Sequence, residues 1–272
     1  MYEAFYGLKE KPFSIQPDPD FLFLGRRHSL AYAMLEYGIR NRAGFSVISG
    51  EIGCGKTTLI RHLLNQLGSE LTIGLLYNTM QEIVNPLEWI LMSFGQPYDG
   101  MSQVAMFDAF QNFLIGQYRK GQRVLLIVDE AQNLSQGALE SMRMLSNINA
   151  DKDQLLQIIL VGQPQLKDLL RRPDMQQLSQ RIAVHFYIPP FKAPEVELYI
   201  RHRLKVAGRE LPLFTPEACN RIAESGGGIP RSINILCDTA LVYGFSAGAD
   251  RIDVDLVEEV LQDRAEYGVF SA

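Results

Sequence analysis

The sequence predicts an α/β fold: a three-layer αβα core around a five-stranded parallel sheet, followed by a small all-helical lid domain. Three observations predict it. Five short apolar runs alternate with helical stretches along the first 190 residues, as a sheet layered with helices requires. Each run is apolar almost throughout, the composition of a parallel strand covered on both faces. Beyond Pro189-Pro190 the strand-like runs stop and only helical patterns follow. Residues 1–190 are therefore expected to form the α/β core with an N-terminal extended arm, and residues 191–272 the helical lid.

The first 25 residues are rich in proline and aromatics: Pro12-Phe13, Pro17-Asp18-Pro19-Asp20 and Phe21-Leu22-Phe23-Leu24. Proline at this density disfavours a helix, so an extended arm with apolar anchors on the core is expected. A helix is expected from about Arg27 to Arg42, with Leu30, Met34, Leu35 and Ile39 on one stripe. The strand-like runs are Phe45 to Ser49, Leu71 to Tyr77, Arg123 to Val128, Leu155 to Val161 and Ala183 to Ile188. The first of them is followed by a helical pattern from Thr57 to Leu67. Lid helices are expected at about Pro194 to Val206, Thr215 to Glu224, Pro230 to Phe245 and Val254 to Asp263. Thr215-Pro216-Glu217 and Asp253 are start signals for two of these, and Gly226-Gly227-Gly228 reads as a hinge-like turn.

At 47% hydrophobic and 21% charged residues, the 272-residue chain can bury a substantial core. Its 26 basic and 31 acidic side chains give a net charge of -5, which argues against a surface built to coat DNA. No apolar run approaches the roughly 20 residues that span a bilayer. The start, Met1-Tyr2-Glu3-Ala4-Phe5, lacks the basic and apolar regions of a signal peptide. A soluble, cytoplasmic protein is expected. Cys54, Cys219 and Cys237 show no C-x-x-C spacing and are read as small packing residues. The basic clusters Arg26-Arg27-His28, Arg40-Asn41-Arg42 and Arg201-His202-Arg203-Leu204-Lys205 are read as solvated helix faces, and the four histidines as structural.

Gly50-Glu51-Ile52-Gly53-Cys54-Gly55-Lys56-Thr57 fits G-x-x-x-x-G-K-[ST] at every specified position, between a strand and a helix. Glycines let the backbone curl so that N–H groups point at phosphate oxygens. Lys56 adds a point charge for the β- and γ-phosphates, and the Thr57 hydroxyl is a Mg²⁺ ligand. With Thr58, these residues are the candidate nucleotide contacts. Val124 to Val128 then delivers Asp129-Glu130 to a sheet edge. Asp129 there is the candidate to hold Mg²⁺ through water, and Glu130 to polarise the water that attacks the γ-phosphate. A carboxylate next to the magnesium aspartate points to hydrolysis, with ATP and Mg²⁺ as cofactors.

The phosphate loop, Asp129-Glu130-Ala131-Gln132, Val161-Gly162-Gln163-Pro164, Gln180-Arg181-Ile182 and Gly228-Ile229-Pro230-Arg231 occur in that order. Together with the opening Tyr6-Gly7-Leu8, Lys11-Pro12-Phe13 and Pro17-Asp18-Pro19, they make the chain resemble an AAA+ ATPase of the ExeA/GspA-like group, associated with bacterial secretion and envelope assembly. The resemblance covers essentially the whole chain and is nearest to the short ATPase of exopolysaccharide loci linked to the PEP-CTERM/exosortase system, with pilus-biogenesis relatives close behind. It implies a sensor-1 role for Gln163, although many AAA+ proteins have Asn, Ser or Thr there. It also implies an arginine finger acting in a neighbour's site for Arg181, and a sensor-2 contact within the same chain for Arg231. An ATP-dependent homo-oligomer, such as a hexamer, follows from the same resemblance, as do partners in an envelope export complex at the inner membrane. Longer members of the group continue into a transmembrane helix and a periplasmic peptidoglycan-binding domain. Read as complete, this chain would meet the membrane through a partner. The competing class is a DNA-binding AAA+ regulator resembling transposon target-selection ATPases, against which the acidic net charge and the N-terminal signature count.

Overall fold

The structure, a computed structural model, describes residues 1–77, 86–150 and 153–267. The end of the expected lid segment, residues 268–272, lies outside them. The chain divides into two compact units. One comprises Ser29–Gly50 and Leu63–Ile188; the other comprises Met1–His28, Glu51–His62 and Pro189–Ala272.

The first unit is built on five parallel strands: β1 (Phe45–Gly50), β2 (Leu71–Leu76), β3 (Arg123–Val128), β4 (Leu156–Gly162) and β5 (Ile182–Ile188), in the order β2-β3-β4-β1-β5. Each strand lies within a residue or so of its expected run. Burial follows position in the sheet. The central β1 and β4 are buried throughout and β3 nearly so, whereas the edge strand β5 alternates between buried and open positions. Helices α1 (Arg26–Arg40), α2 (Lys56–Gln66), α3 (Pro86–Ser93), α4 (Gln103–Arg119), α5 (Gln136–Leu145) and α6 (Pro164–Leu170) connect or flank the strands in the chain. A two-residue antiparallel pair, Asn149–Ala150 with Asp153–Gln154, is an addition that the apolar pattern does not signal.

The buried stripe of α1 differs from the expected one. Ala31, Leu35, Gly38 and Ile39 are buried, whereas Leu30 is exposed. The small residues decide this: a side chain at Gly38 would stand 2.7 Å from the Ser46 hydroxyl, so the helix backbone lies close to β1. Gln157, the buried second residue of β4, donates its amide to the Gly38, Ile39 and Ala43 carbonyls. Its amide thereby ties the end of α1 and the turn after it to β4.

The second unit gathers α7 (Ala193–Val206), α8 (Pro216–Ser225), α9 (Pro230–Ser246) and α10 (Val254–Tyr267) around one apolar core. Thr215 and Asp253 cap as their positions suggested, accepting from the Ala218 and Leu256 amides. The arm differs from expectation in two respects. It runs in turns with one short 3₁₀ segment, Pro19–Phe21, and its anchors Tyr2, Tyr6, Phe13 and Phe21 join the helical core. Arg203 explains the second point. It is buried rather than solvated, donates to the Pro12 and Ser14 carbonyls and lies 4.5 Å over the Phe21 ring. A buried guanidinium needs such acceptors, and the turns of the arm supply them. Among the described residues no helix is long and apolar enough to cross a membrane.

Burial holds His28 and His202 below the ordinary histidine pKa of 6.5. As pH falls through that value the unfolded chain takes up protons first, so stability present above it is lost below it. The thermal midpoint is expected to be lower at about pH 5.5 than at about pH 7.5, a range above the normal titration of carboxylates. Equal midpoints would contradict the assignment.

Candidate active site

In the helical unit, the phosphate loop leaves β1 at Gly50 and enters α2 at Lys56. Gly53 and Gly55 have φ of 79° and 91°, left-handed values that side-chain-bearing residues avoid. The Cys54 amide closes a turn onto the Glu51 carbonyl at 3.2 Å, and Lys56 Nζ crosses the same loop to the Glu51 carbonyl at 3.0 Å. Lys56 is only 6% exposed, a burial that needs such a partner. The first turn of α2 carries no acidic residue. Curled glycine backbone and an uncontested helix N-terminus suit an anion, so the loop fits a nucleotide's phosphates. The Thr57 hydroxyl and the Asp129 carboxylate are hard oxygen donors of the kind Mg²⁺ takes.

Two further groups hold this loop, and the motif identifies neither contact. The Arg231 amide, in the first turn of α9, donates to the Gly53 carbonyl at 3.2 Å. A Cβ on Gly53 would stand 2.5 Å from that of Arg231, so the close approach itself requires glycine. The side chain of Ile229 cannot cap α9, and the Gly53 carbonyl satisfies a helix N-terminal donor in its place. His28 Nε2 lies 2.9 Å from the Cys54 carbonyl; a carbonyl only accepts, so Nε2 carries the proton.

In the sheet unit, β3 ends at Val128 and presents Asp129 and Glu130 at the carboxyl edge of the sheet. Asp129 is 8% exposed; its amide donates to the Leu76 carbonyl at 2.8 Å, and its Oδ1 accepts from the Glu130 amide at 2.9 Å. Glu130 has φ 55° and ψ 37°, a left-handed conformation that costs a non-glycine residue on the order of 1 kcal/mol or more. Its Oε2 accepts two amide donors, Gln132 Nε2 at 2.6 Å and Gln163 Nε2 at 3.0 Å. Gln132 Oε1 in turn accepts from the Gln163 backbone at 2.9 Å, so Gln132 bridges the ends of β3 and β4. Gly162 leaves room for it, since a Cβ there would meet Gln132 Oε1 at 2.8 Å. Glu130, Gln132 and Gln163 thus form one fixed cluster.

Arg181 lies at the opposite edge of the same sheet. It precedes β5, whose first residue pairs with Phe45, and its Nη1 donates to Ser146 Oγ at 3.3 Å. Asp129 continues β3 beyond Val128, which is level with Leu160, Val47 and His185. The offset is four residues along and three strands across, or about 13 Å by about 14 Å. Arg181 is therefore remote from the Asp129 and Glu130 of its own chain. Arg231 and the loop share one unit; Asp129, Glu130 and Gln163 share the other.

Residues 39–170 match a family model described as an AAA domain. The chain is 42% identical to General secretion pathway protein A of Aeromonas hydrophila over 93% of its length, and it spans just under half, 46%, of that protein. Among solved structures, the Aeropyrum pernix ORC2 protein in ADPNP-ADP complexes is similar with a TM-score of 0.69 at 19% identity, over 94% of this chain and 72% of that one. A Thermotoga maritima RuvB mutant is similar with a TM-score of 0.55 at 17% identity, over 90% and 72%. At those identities the likeness establishes the fold alone, a five-stranded parallel sheet layered with helices and followed by further helices. The phosphate loop and Asp129-Glu130 lie inside the matched AAA domain; Arg181 and Arg231 lie beyond it.

Proposed function

We propose that this chain is a Mg²⁺-dependent AAA+ ATPase that uses ATP hydrolysis to drive or switch a bacterial envelope system for secretion, exopolysaccharide export or pilus assembly. The observation that carries the reading is the Glu130 carboxylate, placed at the carboxyl end of a buried strand and held by the Gln132 and Gln163 amides. A carboxylate that accepts two amide donors is held in one orientation, as a positioned general base must be.

Bound ATP and Mg²⁺ would supply the phosphoanhydride to be cleaved and the charge that eases its cleavage. The residues do the rest. The amides of Gly53, Gly55, Lys56, Thr57 and Thr58 bind phosphate oxygens, with Gly50, Glu51, Ile52 and Cys54 shaping the turn. Lys56 opposes phosphate charge, and Thr57 and Asp129 hold the metal. Glu130 takes the proton of the attacking water, Gln163 orients that water or the γ-phosphate, and Arg231 contacts the γ-phosphate within the chain. Arg181 completes the site of a neighbouring copy, so the active form is a homo-oligomer.

The likeness to General secretion pathway protein A supports the secretion setting. The exopolysaccharide assignment rests on the family resemblance that the motifs carry. We place the protein in the cytoplasm, recruited to the inner membrane by components of the export complex.

Lys56→Ala is expected to abolish tight ATP binding, because the β- and γ-phosphates lose their main side-chain counter-charge. Undiminished affinity in a nucleotide titration would remove the loop from the reading. DNA binding that tightens with ATP and weakens steeply with salt would instead support the DNA-binding regulator.

A further inference from the structure

We propose that His28 is a positioning residue for nucleotide binding, which clamps the Cys54 carbonyl and so fixes the direction of the amide that follows it in the phosphate loop. The inference rests on the nucleotide-binding reading above and adds a residue that no motif assigns. His28 sits in the first turn of α1, 26 positions before Cys54, and is 2% exposed. Its Nε2–H makes the 2.9 Å bond to the Cys54 carbonyl, while Nδ1 has no partner among the described residues. Among the described residues the ring's one hydrogen bond is therefore spent on the loop.

In a trans peptide the C=O and the next N–H point in opposite directions. Holding the Cys54 carbonyl towards His28 thus aims the Gly55 amide away from it. The preceding carbonyl, that of Gly53, is held by the Arg231 amide. Two successive loop carbonyls, which would repel a phosphate, are committed to donors supplied by the protein. The two clamps are connected. The His28 ring packs on Phe191 with centroids 5.0 Å apart, and the Phe191 amide donates to the Gly228 carbonyl at 2.8 Å. Gly228-Ile229-Pro230 then leads to Arg231. Any shift of this connection is thereby felt at both carbonyls of the loop.

The test compares His28→Phe, which keeps a ring against Phe191 and loses the donor, with His28→Gln, whose amide can still donate. ATP and ADP are expected to bind His28→Phe about tenfold or more weakly, the loss set by an unsatisfied buried carbonyl. Adenosine, measured as a competitor, should be unaffected, KM for ATP should rise more than kcat falls, and His28→Gln should recover most of the affinity. A folded His28→Phe that binds ATP as the wild type does, or one that loses ATP and adenosine binding alike, would overturn the proposal. Should the variants not fold, nitrogen NMR of the wild-type histidines decides: a neutral ring protonated at Nε2 whose signal moves with ADP but not with adenosine is expected. Protonation at Nδ1, or a signal that ADP does not move, would overturn it. A wild-type protein that binds no ATP overturns the underlying ATPase reading as well, a different result from an unchanged variant.

Discussion

Arg181→Ala is expected to bind ATP yet be nearly inactive as an ATPase, and to regain activity when mixed with Lys56→Ala. The position of Arg181, four residues and three strands from Asp129 in the same sheet, puts it out of reach of its own Glu130. Any part it plays in catalysis is therefore played in a neighbour's site. Arginine fingers contribute about 10³-fold or more in phosphoryl transfer, which sets the scale of the loss. In the mixture, a Lys56→Ala subunit offers an intact Arg181 to a neighbour whose phosphate loop is intact. Arg231→Ala should not be rescued in the same way. Arg231 belongs to the unit that contains the loop and bonds to it through Gly53, so a subunit able to bind ATP still lacks the side chain. Steady-state phosphate release from the two mixtures, under conditions of subunit exchange, separates the arginines. Equal rescue of both, or rescue of Arg231→Ala alone, would reverse the assignments. For the wild type, the rate per subunit should rise with protein concentration.

The parts of the fold that follow from local chemistry were legible in the sequence. The three inner strands are apolar because both sheet faces are covered there, and all five were found within a residue or so of their runs. Gly53 and Gly55 were readable because only glycine accepts their left-handed backbone at low cost. What escaped depends on approaches between distant segments. Arg203 sits in a cluster that reads as a solvated face, and nothing local says that the carbonyls of the arm will surround it. The stripe of α1 was misplaced because Gly38, an apparent gap in the apolar pattern, is the point of closest packing. Gln132 stood in view beside Asp129-Glu130, but its function as a bridge arises from β3 and β4 being neighbours in the sheet. His28 looked structural because the acceptor that gives it a role is a backbone carbonyl, which no side-chain pattern records.

Glu130→Gln tests the central claim, that this chain hydrolyses ATP with Glu130 as its base. The glutamine side chain has the size of the glutamate and can keep one oxygen towards the Gln132 and Gln163 amides, so the cluster has no steric reason to come apart. Its amide cannot take the proton of the attacking water, and loss of a positioned base costs about 10²- to 10⁴-fold in rate. The measurement is phosphate release at saturating ATP and Mg²⁺, paired with a nucleotide titration on the same preparation. The account predicts ATP affinity like that of the wild type with turnover lowered by that factor. Wild-type turnover in Glu130→Gln would contradict it.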